Sequence, residues 1–200
     1  MSDVAELTVL GFGEAGAPQP SMFEAKARST VRFADPAAWT TATAVAIAVK
    51  DLGPLISEAC HEIGMVVVSD AGPAGTMAEV EAGGKENFSS PLRYAASSPG
   101  SLAGVSCIAF GFRGPTLNLT MDPPDGIPLA ASMCATWLER KVVRFMVLAT
   151  YCGGDHPSGR AVLLAPVGSS EPSAVPAKSL LTATLLDWLK GSPLKDSVTS

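Results

Sequence analysis

The sequence predicts a single α/β domain whose mainly parallel sheet is covered by helices on both faces. Short β-branched or alternating apolar runs alternate along the chain with longer alanine-rich or amphipathic segments, and this order is typical of parallel sheets. Hydrophobic residues form 47% of the 200 residues, which is enough for a sizeable core. No internal repeat of about 20 to 50 residues is present, which excludes a solenoid.

The first half of the chain contains two strand-like and three helix-like segments. The first strand-like segment alternates in hydrophobicity and stops at glycines, whereas the second, MVVVSDAG, is a β-branched run that indicates a fully buried strand. The helix-like segments are bounded by Pro or Gly, except that the shortest begins with a capping box of Thr76 and Glu79. The predicted strands are 7–13 and 65–72, and the predicted helices are 36–53, 54–64 and 76–84.

The second half alternates in the same way and contains one unusual corner. The segment GPTLNLTMDPPDG reads as a buried strand that runs straight into Pro123 and Pro124, where the next helix should begin. The last helical segment, LLTATLLDWLKG, is amphipathic and ends at Gly191. The predicted strands are 116–121, 144–151 and 159–167, and the predicted helices are 98–112, 127–143 and 180–191.

Charge and hydropathy exclude several classes of function. The net charge of -5 comes from scattered acidic residues, and no basic cluster exceeds the short patch at 139–141, so nucleic acid is not expected as a partner. No apolar segment reaches the roughly 18 to 20 residues of a membrane span, and the N-terminus lacks the pattern of a signal peptide. We therefore expect a cytoplasmic protein that binds neither nucleic acid nor membrane.

The four cysteines are expected to be reduced structural thiols. Cys60, Cys107, Cys134 and Cys152 lack CxxC or Cys/His spacing, which excludes the common metal-ligand patterns. All except Cys152 lie inside apolar periodic stretches, where free cysteine is readily buried. The sequence therefore predicts neither a metal site nor a bound cofactor.

A glycine pattern near the N-terminus imitates a dinucleotide-binding motif. Gly11, Gly13 and Gly16 have GxGxxG spacing directly after a predicted strand, and Asp35 follows 19 residues after the last glycine. That motif requires a helix to begin at the third glycine, so that the helix amides hold a pyrophosphate. Pro20 falls within the opening turns of such a helix and would disrupt it. We interpret the glycines as a strand that ends in a flexible turn.

Four stretches between 64 and 164 carry an ordered series of strand, glycine loop, small-residue helix and strand. They are GMVVVSDAGPAGTMAEVEAG, SPLRYAASSPGSLAGVSCIAFGFRGPTLNLT, IPLAASMCATWLERKVVRFMVLATY and GRAVLLAP, and the most specific element is FGFRGP at 110–115. This series resembles the N-terminal half of β-ketoacyl synthases, members of the thiolase-like superfamily. The resemblance implies a three-layer α-β-α, thiolase-like half with a mainly parallel mixed sheet, and a role in fatty-acid or polyketide biosynthesis.

The resemblance also gives a meaning to the prolines of the corner. In active ketosynthases the strand after the GP turn leads to a Cys nucleophile at the tip of the next helix, where helix amides lower the thiol pKa and form part of an oxyanion site. Counted from Gly114 and Pro115, that place falls at Pro123, which offers neither a nucleophile nor a backbone N–H. The family's two catalytic histidines lie in a C-terminal half that this chain is expected to lack. No catalytic residue is assigned.

A different catalytic centre is the alternative. Cys152 ends a strand in a glycine loop, with Asp155 and His156 close by in sequence, so a Cys152/His156 loop could act on acyl thioesters as a hydrolase or acyltransferase. Cys134 lies about two to three helical turns beyond the corner and is expected to be core. His61 lies on a predicted helix and is expected to be partly buried or close to a helix cap, without a catalytic role.

The leading hypothesis is a catalytically inactive ketosynthase-like protein that binds a ketosynthase subunit, a second copy of itself or an acyl carrier protein. The resemblance implies an oligomer, because ketosynthases are dimers, and type II polyketide and aryl-polyene systems pair an active subunit with a chain-length factor that lacks the nucleophile. It places the strand Thr116–Thr120 at the dimer interface. The basic residues that could meet an acidic carrier helix are Arg93, Arg113, Arg140, Lys141 and Arg144.

Three regions are predicted along the chain. Residues 1–168 form the ketosynthase-like domain, 169–178 form a linker, and 179–200 form an amphipathic helix and tail. Half of a two-lobed fold exposes the apolar face that normally packs on its twin, so that face must be covered. The tail helix, a second copy and a complete ketosynthase are the three candidates for covering it.

Overall fold

The fold is a three-layer α-β-α arrangement around one five-stranded sheet. It is a computed structural model that describes residues 7–85, 90–166 and 187–190. The strands are β1 (Leu7–Ala15), β2 (Ile63–Ser69), β3 (Thr116–Thr120), β4 (Phe145–Cys152) and β5 (Ser158–Pro166). They lie side by side in the order β1-β5-β4-β2-β3.

Parallel pairing is confined to one side of the sheet. β2 pairs in parallel with β3 and with β4, whereas β5 is antiparallel to both β4 and β1. A short hairpin loop joins β4 to β5, while helices lie between β2, β3 and β4 in sequence, as parallel strands require. The predicted α/β fold with a mixed sheet is confirmed, and its parallel part is the half that contains β3.

Helices cover both faces of this sheet. Helices α2 and α6 pack on one face and α7 packs on the other. Five of the predicted helices, 36–53, 54–64, 76–84, 98–112 and 127–143, are confirmed with shifted ends, whereas α1 and α5 are additional. The helices are α1 (Ala25–Thr30), α2 (Pro36–Val49), α3 (Gly53–Ala59), α4 (Ala74–Lys85), α5 (Pro91–Ala96), α6 (Ser101–Phe110) and α7 (Pro123–Glu139). Within the described ranges, none of the helices has the length and apolarity needed to cross a membrane.

Helix α2 packs directly onto β1 at two glycines. A Cβ atom at Gly11 would collide with the carbonyl oxygen of Ala48, and one at Gly13 with that of Ala44. Glycine is therefore required here for close approach of two backbones. The chain enters a bend at Gly16 and starts no helix there. The predicted strand followed by a turn is confirmed, although Gly11 and Gly13 lie inside β1 and only Gly16 lies in the turn.

A single buried carboxylate, that of Asp35, holds two helices. Its Oδ1 accepts the Ala37 N–H at 2.7 Å and caps α2, and its Oδ2 accepts the Thr76 N–H at 2.7 Å in the first turn of α4. Asp35 is only 3% exposed. The capping-box prediction is wrong, because α4 begins at Ala74 and the Thr76 amide is already satisfied by Asp35 rather than paired with Glu79.

β3 is the edge strand of the sheet and is only partly buried. Its central three residues are half-buried and its two end residues are exposed, whereas every residue of β2 is buried. Among the described residues, no strand pairs with the outer edge of β3. The expectation of a buried strand in GPTLNLTMDPPDG is therefore wrong, because the sheet ends at this strand.

The short segment 187–190 packs on the same face as α7. Trp188 and Leu189 are 3% and 1% exposed and belong to the core cluster on this face. The Thr150 hydroxyl donates to the Leu189 carbonyl oxygen at 3.3 Å, and the Arg160 guanidinium lies 5.4 Å from the Trp188 ring centroid. The described part of the predicted tail helix thus covers its own sheet. The boundary at 168, the linker 169–178 and the rest of 179–200 lie outside the described residues.

We expect Asp35→Ala to lower the free energy of unfolding by about 2 to 4 kcal/mol, because it leaves two buried amides without an acceptor. Asp35→Asn should cost less, since its single amide oxygen still accepts one N–H. Urea unfolding followed by circular dichroism measures both values. The control is Asp51→Ala, at an exposed aspartate after α2, which should stay within about 0.5 kcal/mol of the wild type. Equal stabilities of Asp35→Ala and Asp51→Ala would contradict the two-helix role.

Candidate functional site

The ends of β2, β3 and β4 meet beside the start of α7. These strands are parallel neighbours, so their carboxyl ends lie at one edge of the sheet, where open α/β folds bind ligands. The Met121 N–H donates to the Ser69 carbonyl oxygen at 3.0 Å and ties the turn between β3 and α7 to the end of β2. We call this site the carboxyl-end corner. Its residues are Ser69, Asp70, Thr120, Met121, Asp122, Pro123 and Cys152.

The first turn of α7 has no free backbone donor. Pro123 and Pro124 occupy its first two positions and carry no N–H. The next two amides, those of Asp125 and Gly126, both donate to the Asp122 carbonyl oxygen, at 3.0 and 2.9 Å. Most helix starts offer open N–H groups that can bind an anion. In this turn, the amides are either missing or already used.

Two carboxylates, those of Asp70 and Asp122, lie near the Cys152 thiol at the corner. Burial raises the pKa of the half-buried Cys152 thiol, and the carboxylates of Asp70 and Asp122 raise it further, while Arg160 acts in the opposite direction. Asp70 is held in place because its Oδ1 accepts the Gly153 N–H at 3.1 Å. A thiolate is the reactive form of cysteine. The corner therefore disfavours the charged species that acyl-transfer chemistry would need.

Comparison with known proteins gives matches at the level of structure alone. No protein-family model and no curated protein matches the sequence. One chain of the ketosynthase ApeO in complex with its chain length factor ApeC, from Xenorhabdus doucetiae, gives a TM-score of 0.60 at 13% identity, covering 94% of this chain and 92% of its own. The ishigamide ketosynthase/chain length factor gives a TM-score of 0.64 at 11% identity, and the match covers 84% of this chain and 64% of that chain. Ketosynthase twelve of the bacillaene polyketide synthase, from Bacillus amyloliquefaciens, gives a TM-score of 0.60 at 8% identity, and the match covers 80% of this chain and 41% of that chain.

The chain has a ketosynthase-like fold of the thiolase type. It spans 41% of the bacillaene ketosynthase chain and 64% of the ishigamide chain, but 92% of the matched chain in the ApeO–ApeC complex, which is therefore of similar length. The resemblance inferred from the sequence is confirmed as a resemblance of fold. In this ketosynthase-like fold the FGFRGP turn leads directly into β3, and β3 leads into the carboxyl-end corner.

The alternative catalytic residues lie at the end of one strand and in the exposed loop that follows it. All four cysteines are free thiols, and Cys152 lies at the end of β4, whereas Asp155 and His156 are exposed in the following loop. No hydrogen bond joins Cys152 to His156 within the described ranges. Cys134 is fully buried in α7, where burial raises the pKa of its thiol to about 12. His61 is exposed in the short 3-10 turn that follows α3, so it is not partly buried but does lie close to a helix end, the other of its two predicted positions.

Most of the basic residues considered for carrier binding lie at the opposite edge of the sheet. The Arg113 N–H donates to the Cys60 carbonyl oxygen and the Arg144 N–H to that of Glu62, so both arginines flank the start of β2. Helix α7 has 17 residues and separates this edge from the carboxyl-end corner by about 25 Å. A partner bound there would contact a surface remote from the corner.

The predicted five-residue basic cluster is incomplete in the structure. Arg140 and Lys141 directly follow the C-terminus of α7 and belong to the same edge as the two flanking arginines. Arg93 lies elsewhere, because it forms an ion pair with Glu79 between α5 and α4. Four residues therefore remain as the candidate carrier surface.

Sequence reasoning missed two determinants of the corner. Asp70 directly follows the buried run of β2, so a carboxylate immediately after a central strand was an available signal. The Asp122 carbonyl oxygen accepts two α7 amides because of the geometry of the turn. The amino-acid types in this segment do not predict that arrangement.

We expect the alkylation rate of Cys152 by iodoacetamide to keep rising with pH beyond the ordinary thiol pKa of 9.0, because its pKa is raised. Timed alkylation of the folded protein, read by peptide mass spectrometry, separates Cys152 from the other cysteines. Asp70→Asn should speed the reaction severalfold at about pH 8, since it removes a negative charge but keeps an oxygen for the Gly153 N–H. The control Asp155→Asn changes an exposed loop carboxylate and should have a smaller effect. A rate that levels off near neutral pH would indicate an activated thiolate and favour the Cys152/His156 alternative.

Proposed function

We propose that this protein is a catalytically inactive ketosynthase-like subunit of a fatty-acid or polyketide pathway and that it acts by binding a ketosynthase. The observation that carries the proposal is the first turn of α7, which begins with two prolines and has its other amides satisfied by Asp122. An acyl carrier protein is the second candidate partner, through the basic edge near Arg113 and Arg144.

Ketosynthase chemistry requires groups that this corner lacks. The reaction begins when a thiolate attacks an acyl thioester and forms a covalent acyl-enzyme. The tetrahedral intermediate then needs N–H donors aimed at its oxyanion, and the loss of one such donor costs about 100- to 1000-fold in rate. Residues 121–126 contain no Cys, Ser or Thr. The absence of both the nucleophile and the free amides supports a non-catalytic role.

The structural neighbours support a role in pairing. The ApeO ketosynthase is described in complex with its chain length factor, and the ishigamide structure likewise combines a ketosynthase and a chain length factor. A further neighbour, AntDE:AntF, joins a type II acyl-carrier protein to its ketosynthase, with a TM-score of 0.64 at 12% identity. A chain of this fold without a nucleophile suits the non-catalytic side of such a pair.

The outer edge of β3 offers backbone groups to a partner strand. The Met65 N–H donates to the Pro115 carbonyl oxygen and the Met121 N–H to that of Ser69, so residues 115 and 121 direct their backbone groups toward β2. Alternate residues of a strand face opposite edges. The strand carries no Lys, Pro or bulge of the kind that protects edge strands. The residues whose backbone groups face outward are Thr116, Asn118 and Thr120.

The sequence of β3, TLNLT, reads the same in both directions. An antiparallel strand with this sequence would place Asn118 opposite its own equivalent and Leu117 opposite Leu119. Asn118 Oδ1 is buried and has no hydrogen-bond partner in the described part of the chain, and the amide of an opposed Asn118 would provide one. This self-complementary pattern supports pairing through β3 with a ketosynthase strand of similar alternation or with a second copy.

Incubation with an acyl thioester should leave the intact mass of this protein unchanged, because the first turn of α7 provides no nucleophile and the pKa of the Cys152 thiol is raised. An active ketosynthase treated in parallel is the positive control, and intact-protein mass spectrometry is the measurement. A stable acyl adduct on this chain would contradict the proposal. If Cys152→Ser then removed that adduct, the acyl-thioester enzyme would be the correct alternative.

Asn118→Asp should weaken a complex with a ketosynthase of the same pathway by at least about tenfold, because it buries an unpaired carboxylate at the paired edge. Light scattering on a sizing column, followed by a titration of the two proteins, measures the change. Ser132→Asp adds the same charge on the exposed face of α7 and should leave the complex intact.

Two other results would contradict the choice of partner. A wild-type homodimer that ignores the ketosynthase and dissociates in Asn118→Asp would identify a second copy as the partner of β3. A monomer that binds neither the ketosynthase nor the carrier protein would contradict the whole binding role.

A further inference from the structure

A groove of about 250 Å³ lies on the outer side of α6, on the face of the sheet opposite to α7. Its floor is one stripe of α6, formed by Ser101, Gly104, Val105 and Ile108, which share a helix face at spacings of three and four residues. The stripe spans about 10 Å from Ser101 to Ile108. The groove follows α6 for about 10 Å, and its lining residues belong neither to the carboxyl-end corner nor to β3.

The walls of the groove are apolar. Val31 and Phe33, which follow α1, form one wall, and Leu92 of α5 belongs to the other. Leu92 and Ile108 are large aliphatic side chains that are 54% and 49% exposed. Contact with an apolar ligand would lower the free energy, because it would remove this exposed apolar surface from water.

A glycine keeps the floor of the groove open. Gly104 lies in the middle of α6, where glycine is a poorer helix former than alanine. A Cβ atom at Gly104 would meet no other atom within 4 Å, so no packing contact with the described residues requires glycine there. Its missing side chain leaves space between the two apolar walls.

Two polar groups, one that lines the groove and one beside its wall, lack an oppositely charged or hydrogen-bonding partner in the described part of the chain. The Ser101 Oγ is buried and has no hydrogen-bond partner. The exposed Arg32 guanidinium lies 4.7 Å from the ring centroid of Phe33, a wall residue, and forms no ion pair. The wall segment is basic, since Lys26 and Arg28 precede Arg32. A ligand with a carboxylate at one end would complement this charge.

We propose that this groove binds a medium-chain, unbranched carboxylic acid without covalent reaction. Its alkyl chain lies over Gly104 between Leu92 and Ile108, and its carboxylate lies beside Arg32. The length of the stripe, about 10 Å, and the groove volume of about 250 Å³ suit a single aliphatic chain rather than a ring system or a peptide. This site does not depend on the proposed function, because it uses neither α7 nor β3.

Calorimetric titration of the full-length protein with sodium octanoate at neutral pH tests the proposal. We expect saturable binding to the wild type. Arg32→Gln should weaken octanoate binding about tenfold, as for a lost charge-assisted hydrogen bond, but leave octan-1-ol binding unchanged. Arg28→Gln removes the same charge from the same segment and should change the affinity for octanoate less than about twofold, because Arg28 does not stack on the wall.

Substitutions at Gly104 separate filling of the groove from damage to the fold. Gly104→Leu should abolish octanoate binding while the unfolding temperature stays the same or rises, since leucine is a better helix former. Gly104→Ala adds only a Cβ atom, so it should raise the unfolding temperature and retain binding.

Three results would overturn the assignment: no saturable response to octanoate, binding that survives Gly104→Leu, or a change in solution mass in Gly104→Leu without any octanoate response in the wild type. The last result would identify the groove as a protein interface. Asn118→Asp should leave octanoate binding unchanged, so failure of this proposal is distinguishable from failure of pairing through β3.

Discussion

The close contact between α2 and β1 is the constraint on which the rest of the structure depends. Because Gly11 and Gly13 allow the two backbones to meet, the alanine-rich α2 packs flat against the sheet and contacts α6, which lies beside it on the same face. Asp35 fixes the residue at which α2 begins and ties that point to the start of α4. Because α4 is the next helix after β2, the bond from Thr76 to Asp35 also helps to hold the chain that leaves β2. The carboxyl-end corner is therefore held by the helices as well as by the sheet.

The corner combines a ketosynthase-like fold with a helix start whose backbone donors are missing or already paired. Proline is favourable at the first position of a helix, because its fixed φ suits the helix and its missing N–H would be unpaired there anyway. The residues that remove the donors are therefore compatible with a stable helix start. The outer edge of β3, which adjoins this corner, is unpaired among the described strands. An unpaired edge suits the proposed role of a subunit that acts by binding.

The order of strands and helices could be predicted because each element has its own hydrophobic period, and the fold followed from that order and from the FGFRGP resemblance. The location of β3 at the edge could not, since TLNLT has the same alternation in a central or an edge strand. The partner of the Thr76 amide was also hidden, because Asp35 lies 41 residues away in sequence. At the corner, the two missing backbone donors could be read from Pro123 and Pro124, but the satisfied amides of Asp125 and Gly126 depend on the geometry of the turn. Exposure of Leu92 and Ile108 depends on how α1 and α5 flank α6, and neither short helix was predicted.

The prolines of α7 also bear on how such a protein could change over time. Three of the first six residues of this helix are prolines, at 123, 124 and 128, so the missing donors are a property of the backbone and not of one side chain. A cysteine gained at 123 by point mutation would meet an acidic surrounding and a turn with no amide to spare. An acyl-transfer site in this turn would therefore require several coordinated substitutions, because the donors are removed by the backbone and not by a single side chain.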